Sequence, residues 1–247
     1  MKIFLSALEA SPEFIEIDKN IKQYKNNLMS FYYIRSRTEI AKKIRDKSEL
    51  IIIDSGAHSL QKGKKVDWVE YAKQYAEFIK KFDKPNVIGY FEMDVDNIIG
   101  YDKVLALRKI LEKASNKIIP VWHKNRGIEE YKKMCKDYAG KIIAITGFKN
   151  EDIKDEQYLM FLKYARKYNC KVHCLGMTRK KVLDKVPFDF VDSSSWKQQS
   201  IYGIIDKKKV SKDFSKQNRW KVMLENYKKS MQMQEYYYNK WKKICKD

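Results

Sequence analysis

The feature that most constrains this chain is a regular alternation of short apolar runs with longer stretches of helical period. Eight runs stand out, at residues 2–6, 28–33, 50–54, 86–92, 117–122, 141–146, 171–175 and 188–192. Several are apolar without a break, such as Leu50-Ile51-Ile52-Ile53 and Ile142-Ile143-Ala144-Ile145. Unbroken runs suit parallel strands covered on both faces. Between them, apolar residues recur at three- and four-residue steps. Residues 66–82 carry Trp68, Tyr71, Ala72, Tyr75, Phe78 and Ile79; residues 104–114 carry Val104, Leu107 and Leu111; residues 158–168 carry Leu159, Leu162 and Ala165. Asp67 and Asp102 sit where a carboxylate caps a helix start.

Repeated βα units predict a parallel sheet with right-handed crossovers. Eight of them predict closure into a (β/α)8 TIM barrel, with an open doubly wound sheet as the alternative. A first helix at residues 12–27 is the least regular element. The chain has no linker, low-complexity tract or internal repeat, and reads as one domain over residues 1–247. After Asp192 the stretch 193–215 reads as irregular. A long basic C-terminal helix follows, with Trp220, Met223, Leu224, Tyr227, Met231, Tyr238, Trp241 and Cys245 on one stripe.

Composition narrows the function classes. Hydrophobic residues make up 44% of the chain, which suits a globular protein. No apolar run approaches the roughly 20 residues that span a bilayer. The apolar start is followed at once by Glu9 and Glu13, so it reads as a strand rather than a signal peptide. Cys135, Cys170, Cys174 and Cys245 form no paired framework. On a strand, Cys170 and Cys174 share one face and His173 takes the other, so free buried thiols in a reducing cytoplasm are expected rather than a metal site. The net charge of +20 favours a polyanionic partner. It is concentrated near the end, with 14 Lys/Arg against 5 Asp/Glu from Lys197 to Asp247.

Barrel enzymes keep their chemistry at the C-terminal ends of the strands. Here those ends read Asp54-Ser55-Gly56-Ala57-His58-Ser59, Glu92-Met93-Asp94-Val95-Asp96, Trp122-His123, Thr146-Gly147-Phe148, Gly176-Met177 and Asp192-Ser193-Ser194-Ser195-Trp196. Acids thus occupy one rim on at least three strands. Two carboxyl groups can cleave a glycosidic bond, one attacking the anomeric carbon and the other handling the leaving group's proton. Two other readings stand beside this one: helix N-capping by Asp54 or Asp192, and a Mg²⁺ site at Asp94 and Asp96.

Asp54-Ser55-Gly56-Ala57-His58-Ser59 resembles the Asp-Ser-Gly-Gly signature of tRNA-guanine transglycosylases. With Ala after Gly, and with Pro120-Val121-Trp122-His123, it looks closer to their DNA-acting relatives, the DNA 7-deazaguanine transglycosylases of the deoxypurine-in-DNA protein A family. The order of features agrees across roughly residues 50–196.

The resemblance implies that Asp54, beside Ser55 and Gly56, is the general acid/base and Asp192 the nucleophile of a covalent glycosyl intermediate. Asp94 matches the base-recognising aspartate, with Asp96 as its substitute. His123 falls where the tRNA enzymes carry a base-contacting glutamine, and Gly147 where a glycine lets backbone N–H approach a base carbonyl. Gly176 and Met177 would shape the base pocket, and Ser55 and Gly56 would also bind the base.

The chain departs from the tRNA enzymes in having no Cys-x-Cys-x2-Cys zinc motif after the nucleophile and no added RNA-binding domain. Both departures favour DNA as the substrate, with tRNA as the alternative. Such a compact version suits a phage-encoded enzyme acting in the host cytoplasm. The implied reaction flips a guanosine out of its stack and replaces guanine with a free, preQ0-like 7-deazaguanine base, without metal or redox cofactor. His58, Trp196, Tyr202, Lys197, Lys207, Lys208 and Lys209 are the expected nucleic-acid contacts. The rivals are a Mg²⁺-dependent phosphoryl-transfer enzyme and a barrel that only binds nucleic acid.

Overall fold

The structure, a computed structural model, describes residues 1–60, 66–147, 152–206, 208–210 and 216–245. Nine parallel strands form a nearly closed, barrel-like sheet: β1 (Lys2–Ser6), β2 (Tyr24–Ser30), β3 (Ser48–Asp54), β4 (Val87–Phe91), β5 (Ile118–Ile119), β6 (Val121–Trp122), β7 (Ile142–Thr146), β8 (Lys171–Leu175) and β9 (Phe190–Ser193). Their order is β5-β4-β3-β2-β1-β9-β8-β7-β6, consistent with a TIM-like barrel.

The count is nine rather than the expected eight because residues 117–122 are divided at Pro120, which has no N–H to give a ladder. The two strands at the ends of the order are therefore neighbours in sequence. β5 pairs with β4, β6 pairs with β7, and Pro120 accepts from the Ala144 N–H at 2.8 Å.

The unbroken apolar runs are explained by two cores. Phe4, Leu28, Ile52, Phe91, Ile119, Val121, Ala144 and Phe190 form the barrel interior. Ile3, Leu5, Ile51, Ile53, Ile143, Ile145, Val172 and Val191 face the surrounding helices. The period of two then dictates the site: on the inner face Leu50 and Ile52 lead to Asp54, Phe4 leads to Ser6, Leu28 to Ser30, Ala144 to Thr146, and Phe190 to Asp192. The inner face is apolar at mid-barrel and polar at the C-terminal mouth.

Helices cover the outside. α5 (Trp68–Phe82) starts on Asp67, whose carboxylate accepts from the N–H groups of Val69 and Glu70 at 3.1 and 3.0 Å. It buries Tyr71, Ala72, Tyr75, Ala76, Ile79 and Phe82. Two of its tyrosines donate to the end of β3, Tyr71 to Ser55 O at 2.8 Å and Tyr75 to Ile53 O at 3.2 Å. α3 (Thr38–Lys47) and α4 (Ala57–Leu60) flank β3, α6 (Asp96–Ile99) and α7 (Tyr101–Glu112) follow β4, α8 (Gly127–Asp137) follows β6, α9 (Tyr158–Arg166) follows β7, and α10 (Lys180–Leu183) follows β8. α12 (Lys216–Trp241) packs along β1 and β2, where Gln234 donates to Ile3 O and Asn26 O at 2.7 and 2.8 Å. All four cysteines are free and buried, as expected. No helix of the described residues is long and apolar enough to cross a membrane.

Three expectations need correction. The first helix is only α1 (Phe14–Lys19), and the second strand begins at Tyr24 and ends at Ser30, where 28–33 was expected. Its polar half is buried because Asn27 donates to Ser48 Oγ at 3.1 Å and accepts from Tyr227 at 2.7 Å. Residues 31–33 belong instead to the short helix α2 (Phe31–Ile34). The stretch after Asp192 is not irregular throughout: it contains α11 (Ser195–Ile201) and a hairpin of β10 (Ile204–Ile205) and β11 (Lys208–Lys209).

A side chain bridges the sheet at Pro120. Glu92, fully buried just beyond β4, accepts from the Val121 N–H at 2.7 Å. The same carboxylate pairs with Arg108 at 2.6 Å and Arg126 at 3.0 Å, whose side chains are 8% and 2% exposed. Glu92→Ala strands two buried guanidinium groups and should cost about 3–5 kcal/mol, read as a lower urea midpoint.

Candidate active site

Asp54 ends β3 opposite Ser30, and Asp192 lies in β9 opposite Phe4 of β1. Both therefore turn inward at the C-terminal mouth, and Asp94, beyond the end of β4, joins them. The Asp54 carboxylate accepts from the Gly56 N–H at 3.0 Å. That turn requires glycine: φ is +72°, and a Cβ at Gly56 would lie 2.5 Å from Tyr32 Cβ and 2.7 Å from Ser30 Oγ. Asp54 is half-buried. Burial, reinforced by the charges of Asp192 and Asp94, pushes its pKa up to about 6, against the opposing Gly56 hydrogen bond.

Asp192 is held differently. Its Oδ1 accepts from the Gly176 N–H at 2.9 Å and lies 3.0 Å from His173 Nε2. His173 is fully buried between Phe4, Phe91 and Phe190, and its Nδ1 has no partner. A carboxylate only accepts, so the network assigns the imidazole proton to Nε2. Among the described residues, hydrogen bonds reach Oδ1 of Asp192 and leave Oδ2 available.

Across the mouth a second cluster gathers. His123 Nε2 lies 2.7 Å from Asp94 Oδ1, and Nδ1 lies 3.2 Å from Asp152, which also accepts from Thr146 at 2.6 Å. Burial opposes protonation of His123, yet its bond to Asp94 lifts its pKa above the ordinary value. Arg126 reaches Asp96 at 3.1 Å and Asp94 at 3.5 Å while holding Glu92. Burial works to raise the Asp96 pKa, but the Arg126 contact prevails and lowers it. Asp94, Asp96 and His123 each offer one ligand atom within 4.8 Å of the others, a spacing that suits a cation. The guanidinium of Arg126 already supplies positive charge there.

Several assigned roles change. The Gly147 N–H is engaged by Leu175 O at 2.9 Å, and a Cβ there would lie 2.8 Å from that oxygen and 2.6 Å from Cys174 Sγ. This glycine permits strand packing; its N–H is not turned toward a base. Gly176 secures Asp192, and Met177 and Ser55 are buried. Trp196 is no stacking surface: it is 2% exposed, lies edge-on to Tyr227 and donates to Ser6 O at 2.9 Å. Lys197 is no free phosphate contact, because its ammonium sits 3.0 Å from Ala10 O and 3.4 Å from Ala7 O. His58, Tyr202, Lys208 and Lys209 are exposed. Lys207 lies outside the described residues.

Sequence reasoning missed Glu9, His173, Arg126 and Asp152. His173 carried a usable signal, a polar residue on the inner face of an apolar strand one position before the thiol it was grouped with. A cavity of about 540 Å³ opens at the opposite mouth, rimmed by Lys2, Lys117, Lys141 and Lys171, and its lining carries no acid. Comparison of the chain with protein-family models, with curated proteins and with solved structures found no match.

Asp54 keeps its proton in the folded state at pH values where the unfolded chain has lost it. Its burial therefore lowers stability progressively as pH rises from about 4 to about 6, by roughly 3 kcal/mol. Urea midpoints measured across that range should fall less steeply in Asp54→Asn than in the wild type.

Proposed function

We propose that the chain is a DNA-guanine transglycosylase, built on an eight-stranded (β/α)8 barrel in which β5 and β6 are halves of one strand interrupted at Pro120. The observation that carries this reading is the pair of inward carboxyls at one mouth in unlike surroundings. Asp54 is desolvated and retains a proton toward neutral pH; Asp192 has one oxygen fixed by two donors and the other available. Such a division between two acids is what a covalent base exchange needs.

In this mechanism the target guanosine is flipped into the mouth. Asp192 Oδ2 attacks C1′, the bond from C1′ to the base breaks, and Asp54 gives its proton to the departing guanine. A preQ0-like 7-deazaguanine then enters and yields a proton to Asp54. Its nitrogen displaces Asp192 from C1′ on the original face, so configuration is retained. Asp94 offers acceptors to the N1–H and amine of a guanine-like edge, with His123 and Arg126 fixing its direction. The net charge of +20, with exposed His58, Tyr202, Lys208 and Lys209, supports a polyanionic substrate.

A second reading, Mg²⁺-dependent phosphoryl transfer, is favoured by the spacing of Asp94, Asp96 and His123. Exchange activity that persists in EDTA would reject it. Purified protein given labelled guanine with either DNA or tRNA should label the DNA; label in tRNA alone would overturn the choice of nucleic acid.

Two variants test the roles. Asp192→Asn should abolish exchange and the trapped protein–DNA adduct while DNA binding persists. His173→Phe removes one donor to a charged oxygen, worth about 1.5–3 kcal/mol, and should slow adduct formation roughly 10- to 100-fold with DNA affinity unchanged.

A further inference from the structure

The alternation that brings acids to one mouth of the barrel brings bases to the other. Lys2 opens β1 two residues before Phe4, and Lys171 opens β8 two residues before His173. Lys117 stands just before β5, two residues ahead of Ile119. Phe4, Ile119 and His173 lie in the barrel interior, so a period of two starts all three lysines on the inner face at the N-terminal mouth. Lys141, just before β7, joins them at the rim. In the strand order the four lysines follow an arc from β1 through β8 and β7 to β5. Leu50 of β3 and Ile88 of β4 stand on the other side. The cavity of about 540 Å³ thus sets a cationic arc against an aliphatic one, and half-buried Leu50, Ile88 and Ile142 line its floor beside Phe190.

The acids around this mouth are engaged elsewhere. Asp83 takes Lys117 at 2.9 Å, and Glu49 faces Lys25 at 3.7 Å. Asp189 accepts from the Val172 N–H at 2.8 Å and feels the charge of Lys171 without pairing with it. The Lys141 ammonium lies 5.8 Å from the centroid of the Tyr138 ring. Among the described residues no acid pairs with Lys141 or Lys171, and none lines the cavity. Like charges gathered at one cavity repel, and a bound anion relieves that cost.

We propose that this mouth binds a small organic phosphate of nucleotide size, with its phosphate groups held by Lys141 and Lys171 and its apolar body laid on Leu50, Ile88 and Ile142. The site lies at the opposite end of the barrel from Asp54 and Asp192, and it goes beyond the transglycosylase reading. Size, charge and shape select the ligand class. A cavity of about 540 Å³ is of the size that encloses small organic ligands. Two ammonium groups without acids call for an anion of at least two charges, which a phosphate ester supplies and a single carboxylate does not. The aliphatic arc favours an apolar body and gains nothing from inorganic phosphate. A nucleic-acid strand fits less well, because its backbone follows cations along an open groove, and these curve around a recess.

The test is calorimetric titration of the full chain at low salt with ATP as the probe. Saturable binding is expected, weakened about tenfold by Lys171→Gln or Lys141→Gln and about a hundredfold by the two together. Added KCl should weaken it further. Pyrophosphate should bind the wild type less tightly than ATP does, adenosine should not bind, and Ile88→Ser should narrow the gap between ATP and pyrophosphate. No saturable binding of ATP would overturn the proposal, as would an affinity that the double lysine variant leaves unchanged or equal affinities for ATP and pyrophosphate. Displacement of ATP by a DNA duplex that the lysine variants no longer hold would also overturn it and make the mouth a nucleic-acid groove. A wild type that exchanges no base would overturn the transglycosylase reading alone, because the titrations do not use exchange.

Discussion

The structure depends most heavily on the buried carboxylate of Glu92. It accepts from the Val121 N–H where Pro120 interrupts the sheet, and it pairs with two guanidinium groups that have left solvent. Arg126 then extends from Glu92 to Asp96 and Asp94, so the carboxylate that bridges the sheet at Pro120 also sets the charge at one side of the mouth. Burying an acid with two bases is tolerable only when every charge is met. The Arg126 guanidinium also lies 4.5 Å from the centroid of the Tyr101 ring, a cation–π contact that favours the buried cation.

The mouth has two electrostatic halves. Around His123 each acid has a cationic or hydrogen-bonding partner: Asp94 and Asp152 take the imidazole, and Asp96 takes Arg126. Around Asp54 the acids outnumber their partners. Glu9 and Asp54 are desolvated, one oxygen of Glu9 meets nothing, and the nearest ammonium is occupied by backbone carbonyls. An uncompensated pair of acids inside a protein of net charge +20 is a local arrangement that folding alone does not require. His173, placed in an otherwise apolar interior to reach Asp192, has the same character.

Local pattern made much of this legible. The run Leu50-Ile51-Ile52-Ile53-Asp54 has one residue set for the helices and another for the interior, and continuing the alternation places Asp54 inside at the mouth. Phe190-Val191-Asp192 repeats the logic on β9. The second strand was misplaced because Tyr24–Asn27 looks polar; its asparagines are buried on partners from Ser48 and α12, which no local window contains. Trp196 and Lys197 misled for the same reason. Each carries a group that suits nucleic acid, yet each is absorbed by backbone carbonyls at the end of β1 and in the loop after it.

By itself the sequence determined the alternation of strands and helices, the face each strand residue occupies and the end of the sheet where the acids gather, because these follow from periods of two and 3.6 within a few residues. Only the tertiary structure decided which acids are compensated. Glu9, Asp54, Glu92, Asp94 and Asp96 are alike as letters, and their states differ because burial and partners come from segments that meet only when the sheet curls into a barrel. Charge interactions act through space, so their outcome is set by distances that chain order does not encode.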